Sequence, residues 1–511
     1  MPPKGTKYKQ PLLLPNRLAS FDRQRKPVAQ LPRSDYSINR ILLQNIQRKR
    51  GVALKSSKAS SSLILLLCLL LLSACSQDGK KLKPFDPKKS TRIKIMYDSP
   101  GYYDQDYGRY LSAKYPNLEV EVASTDTLFG KPSSEYKKFI QNENPDVLLL
   151  TPDLYEEYVL AGKLMPLDEL ITQDAFDIEN IQPFIVEYLK EKGEGKIYGL
   201  ANSFYSLGLY YNIDLFRKHG IETPRNGMTW EEVAALAGRF PHSGSGDDRV
   251  YGLQVDGDYS PALNLLLSLT GTQNLRLVDK DGSKLLLDTA SVKSAYEKTV
   301  DMLASGSLYA DPIDKTLQIG DTLEGFLERD PFLMNKVAMT IRPSWYMSDI
   351  RGFSSGPKKH KPASYGVATV PVDPSNPGAS AHVGLSKIFC VSASASNPGA
   401  AWEFVKYVNG GELAAIKSKT DLPELPARTA AKEDKDGRSL EAFYSLKPNI
   451  SFHPLTEDVP RAFLLDWDKT VSEQTTAAIE GKISSEAALK SIQSEGQAKL
   501  AKAGSAESKK S

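Results

Sequence analysis

Few side chains in this 511-residue sequence stand at spacings that do covalent chemistry. Two carboxylate pairs, Asp104/Asp106 and Asp466/Asp468, have the residue types of a glycosidase acid and base. With 60 acidic residues beyond position 62, such pairs arise by chance. The five histidines, at 219, 242, 360, 382 and 453, are too scattered for a two-histidine helical zinc motif and have no cysteine partners, so neither metal nor cofactor is expected. No G-x-S-x-G elbow, Walker loop or G-x-G-x-x-G is present, and Ser243-Gly-Ser-Gly246 lacks the lysine of a phosphate cradle. Asp279-Lys-Asp-Gly282 lacks the third acidic ligand and closing glutamate of a calcium loop and is expected to be a hairpin turn. Nothing here calls for an enzyme; a binding function needs no such machinery.

The three cysteines are more informative. Cys390 lies in the apolar run Lys387-Ile-Phe-Cys-Val-Ser392, where a buried structural thiol is expected. Cys68 sits inside Leu63–Leu72, and Cys75 closes Leu72-Ser-Ala-Cys75. Ten apolar residues are too few for a hydrocarbon core, which takes roughly 20 helical residues. Leu72-Ser-Ala-Cys75 resembles the bacterial lipobox, whose cysteine is acylated and becomes the mature N-terminus; two or three acyl chains hold a protein on a membrane where one does not. The expected mature protein is Cys75–Ser511, lipid-anchored at the extracellular face of the cell membrane.

Charge supports that division. Residues 1–62 carry 14 Lys and Arg against 2 Asp and Glu, so the whole-chain balance of +3 leaves −9 for everything after them. The basic pI belongs to a removable segment, and no nucleic-acid partner is expected. Residues 1–51 are long for the front of a signal peptide, whereas a start at Val52 gives an ordinary one over 52–74; a mis-called start codon is the simplest account of the extension. Residues 75–90, lysine-rich and poor in apolar side chains, read as a flexible tether.

The rest of the chain exceeds the size at which single cores stop growing, so two domains are expected. Arg92–Tyr97 and Leu118–Val122 alternate like strands, Tyr103–Tyr115 and Ser133–Asn142 read as helices, and Asp146–Leu150 reads as a fully buried strand. This is an α/β pattern with a parallel sheet, and in such sheets ligands sit beyond the carboxyl ends of the strands. Those ends are Asp98–Tyr103 and Thr151–Asp153. Thr229-Trp-Glu-Glu232 is a capping box, Asn397 opens a helix to Val408, and Ser484–Ala503 is a terminal amphipathic helix before a disordered tail at 504–511.

Several stretches together resemble one family. Lys196–Pro224, with Gly199-Leu-Ala-Asn-Ser-Phe204 and Tyr210-Tyr-Asn-Ile-Asp-Leu-Phe216, looks like the central segment of bacterial extracellular solute-binding proteins of the sugar-binding type. Lys336–Trp345, Tyr365–Pro371, Ala381–Ser386 and Asn397–Phe404 follow in the family's order. The resemblance implies two α/β lobes of the type II periplasmic-binding-protein fold, a cleft between them, and three hinge crossings near Tyr205, Thr340 and Ala395. Lobe 1 would be 91–204 plus 341–394, and lobe 2 would be 205–340 plus 395–503. The implied partner is the permease of an ABC importer, the implied solute a sugar or oligosaccharide, and the receptor a monomer. A lipoprotein acting on glycans, or a sensor working with a kinase, stays open as an alternative.

A sugar offers hydroxyls in every direction and apolar C–H faces, so its site needs donor–acceptor side chains and aromatic plates. Asp98, Tyr102 and Tyr103 could supply these from the first loop, Thr151 and Asp153 from the third, and Asn202, Ser203 and Phe204 from the hinge. By resemblance, Trp345 stands where an aromatic stacks on the ligand, and His382 and Gly384 stand in a loop whose backbone nears it.

Overall fold

A computed structural model describes residues 82–507, apart from 129–130, 132, 242–248, 280–281, 311–321, 357, 359, 362, 419–423, 430–432, 435 and 450–460. The basic extension, the signal segment, Cys75, most of the tether and residues 508–511 lie outside the described residues.

The first sheet is built as its pattern predicts. β1 (Thr91–Tyr97) pairs in parallel with β2 (Leu118–Ser124) over seven residues, from Thr91↔Leu118 to Tyr97↔Ser124. β3 (Val147–Leu150), buried throughout, lies parallel on the other side of β1, meeting it at Ile95↔Val147. The departure is β11 (Ile388–Val391), which runs antiparallel between β3 and β4 (Gly199–Leu200) and completes the order β2-β1-β3-β11-β4. Cys390 sits in β11, fully buried, and burial pushes its thiol well above the ordinary value, as befits a structural cysteine.

The first helical stretch begins earlier than its periodicity suggests. The Ser99 hydroxyl accepts from the Tyr102 amide and Pro100 supplies the fixed φ of a first turn, so Pro100–Tyr103 is already helical. Asp104–Gly108 is a π-helical turn, and Arg109–Lys114 finishes the stretch. The helix after Asn397, Pro398–Val408, covers the sheet, with Phe404 and Trp402 buried.

The second sheet hangs on β5 (Ser203–Asn212), a ten-residue strand with different neighbours along its two halves. Its C-terminal half pairs antiparallel with β7 (Val337–Pro343) and with β8 (Tyr365–Thr369), and β6 (Tyr251–Val255) lies parallel beyond β7. Its N-terminal half pairs with two-residue strands, β10 (Val383–Gly384) at Ser206 and Tyr205, and β12 (Leu425–Pro426) at Phe204 and Ser203. A short ribbon joins β9 (Ala379–Ser380) to β13 (Lys447–Pro448). Helices Pro261–Thr272, Ala290–Ala304, Arg461–Ile479 and Ser485–Glu507 pack together on this side. Trp467 is buried among them and stacks on Phe463 at 5.6 Å. The capping box at Thr229 is present with both of its hydrogen bonds, and the last helix runs past Gly504, where a tail was expected.

The molecule is therefore two α/β lobes, but the implied partition needs correction. Thr340 is no crossing: it is fully buried in β7 between β5 and β6. Within residues 341–384, expected in lobe 1, the end of β7, β8 and β10 join the second sheet, while Pro398–Val408, expected in lobe 2, packs on β11 and β1. The chain crosses at Ala201–Asn202, at Leu385–Lys387 and on the approach to β12.

Candidate functional site

Strand direction brings two edges together. β1, β2, β3 and β4 all point the same way, so Asp98, Thr125, Thr151 and Asn202 emerge at one edge of the first sheet, where antiparallel β11 begins at Lys387. In the second sheet the carboxyl ends of β6 and β7, followed by Asp256 and by Ser344-Trp345, lie at the amino end of antiparallel β5. Only Ala201 and Asn202 separate the end of β4 from the start of β5, so the two edges meet at the crossings. These facing edges are the candidate site, since ligands sit beyond the carboxyl ends of the strands in open α/β sheets.

Of the eleven residues expected here, several stand at this edge with surface to offer. Asp98 forms an ion pair with Lys387, and its backbone carbonyl accepts from the Ser124 hydroxyl at 2.9 Å. Tyr102 is 37% exposed. Thr151 caps the helix Pro152–Leu160 by position, without a side-chain cap hydrogen bond, and Asp153 lies in that helix's first turn. Trp345, half-buried, precedes the helix Tyr346–Ser355, and among the described residues no aromatic ring packs on it. The His382 carbonyl accepts from the Leu207 amide at 3.1 Å, fixing its loop to β5, and burial pushes its imidazolium down to about 4. Gly384 pairs with Tyr205, and a Cβ there would lie 2.6 Å from the Tyr205 hydroxyl.

Others are drawn into the framework. Phe204 is fully buried, edge-on to Phe184 at 5.1 Å and Tyr444 at 5.0 Å: a core residue, since it points to the covered face of β5. Tyr103 is 8% exposed and packs against Tyr97 and Phe404. Asn202 spends its amide on the Tyr107 hydroxyl at 2.8 Å and the Val408 carbonyl at 3.1 Å, and Ser203 donates to Glu424 at 2.6 Å. These two hold crossings in place.

Residues that the sequence did not single out complete the picture. Tyr97 donates to Asp106 at 2.8 Å, and Lys417 stands over the Tyr107 ring at 4.6 Å while reaching the Asp106 carbonyl at 3.2 Å. Burial lowers the Lys417 pKa, with Asp106 opposing, and raises those of Tyr97 and Tyr107. At the other edge, buried Arg342 is paired with Asp256 and, at 2.8 Å, with Asp330. Burial opposes its charge, and the two carboxylates more than offset this, holding its pKa above the ordinary value. Burial also pushes Asp349 up to about 6, Arg342 pulling it the other way. The one signal that could have found Lys387 is a lysine heading an otherwise apolar strand.

The two carboxylate pairs have structural partners. Asp106 is held by Tyr97 and Lys417, and Asp468 accepts from the Ser260 hydroxyl and amide at a helix start. Among the described residues no histidine, cysteine and carboxylate cluster could hold a metal ion, and no helix is long and apolar enough to cross a membrane.

Residues 113–444 match the family of bacterial extracellular solute-binding proteins, and the chain belongs to it. A binding protein of Brucella abortus is 26% identical over 368 residues, covering 70% of this chain and 80% of its own. The arabinooligosaccharide-binding protein of Bacillus subtilis is 23% identical over 305 residues, covering 56% of this chain and 64% of its own. Among solved structures, an extracellular solute-binding protein of family 1 from Alicyclobacillus acidocaldarius superposes with a TM-score of 0.58 at 16% identity, over 81% of this chain and 100% of that one. A sugar transporter from Rhizobium etli in an open conformation gives 0.54 at 22% identity, over 80% and 99%. These likenesses show the two-lobed fold, and the family is one of binding proteins.

Proposed function

We propose that this protein is a lipid-anchored receptor that captures a sugar or oligosaccharide outside the cell and delivers it to the permease of an ABC importer. What supports the solute class is the pair of residue types at the two facing edges: the partly exposed Asp98 and Lys387 supply an acceptor and a donor on one, and half-buried Trp345 follows β7 on the other. The names of the relatives point the same way. The receptor acts as a monomer, with lobe 1 built on 91–200 and 388–417, lobe 2 on 203–384 and 461–507, and the solute favouring the closed form through contacts made on both edges. A thermal-shift screen of mono- and oligosaccharides tests this, because a ligand at about 100 times its Kd adds roughly 2.7 kcal/mol of stability. A screen in which only non-saccharide solutes shift the transition overturns the reading. Anchoring rests on Cys75: Cys75→Ala should abolish lipid labelling in cells, and deletion of residues 1–51 should leave the mature protein unchanged.

A further inference from the structure

We infer that the Asp98–Lys387 pair sets the specificity of this cleft, selecting a neutral saccharide through adjacent hydroxyls and rejecting acidic ones; the inference rests on the saccharide reading above. The pair is placed to meet a ligand. Asp98 leaves the carboxyl end of β1 and Lys387 heads β11 directly after the second crossing, so both stand on the edge that faces the other lobe. Their side chains keep 48% and 31% of their accessible surface, so the contact is open to a third group.

Both ends are also held. The Lys387 ammonium lies 5.4 Å from the centre of the Tyr97 ring, and the Asp98 carbonyl is fixed by Ser124. Tyr97 is in turn tied through Asp106 to Lys417, and Tyr107 to Asn202, so the pair is rooted in a network that touches the first crossing and the helix leading to the third.

The chemistry of such a pair discriminates by charge. A hydroxyl can donate to the carboxylate while a neighbouring hydroxyl accepts from the ammonium, so a diol satisfies both ions with charge-assisted hydrogen bonds. A uronate carboxylate can only accept. It would gain from Lys387 what it loses to Asp98, and it would still have to shed its own hydration. The surrounding charges do not help it. Lys417 is spent on Asp106, and on the facing edge Arg342 is already held by Asp256 and Asp330, with Asp349 beside it.

The test is calorimetric titration of the mature chain with maltotriose, arabinotriose and xylotriose, and with trigalacturonic acid as the acidic counterpart. At least one neutral trisaccharide is expected to bind, and trigalacturonic acid to bind at least 30-fold more weakly than it. Lys387→Met is expected to weaken the neutral ligand tenfold or more, and Lys387→Arg to restore most of the loss, which a merely structural role would not require. Asp98→Asn, by freeing the ammonium, is expected to raise the affinity for trigalacturonic acid relative to the neutral ligand by tenfold or more. Folding of each variant is checked by its unliganded thermal transition. Comparable affinity of the unaltered protein for the acidic and a neutral trisaccharide, or neutral affinity indifferent to both Lys387 variants, overturns the inference while the saccharide reading stands. Failure of every trisaccharide to bind overturns that reading, and the inference with it.

Discussion

Trp345 is the residue on which the two edges test each other. It is half-buried and stands directly after β7, at the edge where a ligand would meet it. Trp345→Ala is expected to weaken solute binding tenfold or more while the unliganded protein unfolds at nearly the same temperature. A tryptophan committed to the core would behave otherwise, costing about 3–5 kcal/mol of stability. Two titrating groups add a pH signature. His382 is held down to about 4 by burial, so its neutral form is the folded one; stability is intact above roughly pH 6.5 and falls as pH drops towards 4. Asp349 is pushed up to about 6 by burial, so it favours the folded state when protonated, and its contribution is lost as pH rises from about 4 to 6. The two therefore offset each other in one window. His382→Gln should leave the Asp349 effect uncompensated, so that the melting temperature rises as pH falls from about 6 to about 4, and Asp349→Asn should raise it most above pH 6; parallel melting curves for both variants and the parent would sink the assignment.

At the scale of elements, β5 does the joining. A ten-residue strand whose first four residues pair with β10 and β12, and whose last six pair with β7 and β8, lets one rigid segment belong to both the hinge and the second lobe. Gly384 makes the seam possible, since the Tyr205 ring lies where a side chain would go. Gly384→Ala should cost about 1–3 kcal/mol by overpacking and weaken ligand binding, and Tyr205→Ala in the same chain should recover part of the stability. Unaltered stability in the single variant would show that the ring gives way freely. This is also where legibility ended. β1, β2 and β3 were readable because seven or four residues carry a period or an apolar run. β4, β10 and β12, at two residues each, carry neither, and their partners lie far away in the chain. The crossings they define were therefore misplaced at Thr340 and Ala395. The same limit touched the site. Asp98 and Trp345 follow long strands, so the pattern places them at strand ends, whereas Phe204 and Tyr103 are the aromatic types a sugar wants but face the core, which spacing alone does not reveal.

At the scale of the whole molecule, the position of β11 has a consequence for how the chain is made. It is the fourth strand of a sheet whose other members are complete by Leu200, and it arrives only with residues 388–391. Until then β3 and β4 each present an unpaired edge of buried-type residues, the kind of surface that recruits other chains. The first lobe thus cannot mature behind the advancing chain, and long-range pairing of this sort is slow to form. A chain truncated after Ser380 should show no cooperative melting of either lobe and should aggregate on refolding; a sharp transition in that fragment would show that the first sheet closes without its fourth strand. Lateness of this kind suits a protein that must be threaded across a membrane before it folds, because the strand that locks the first lobe leaves the ribosome after most of the chain has already gone.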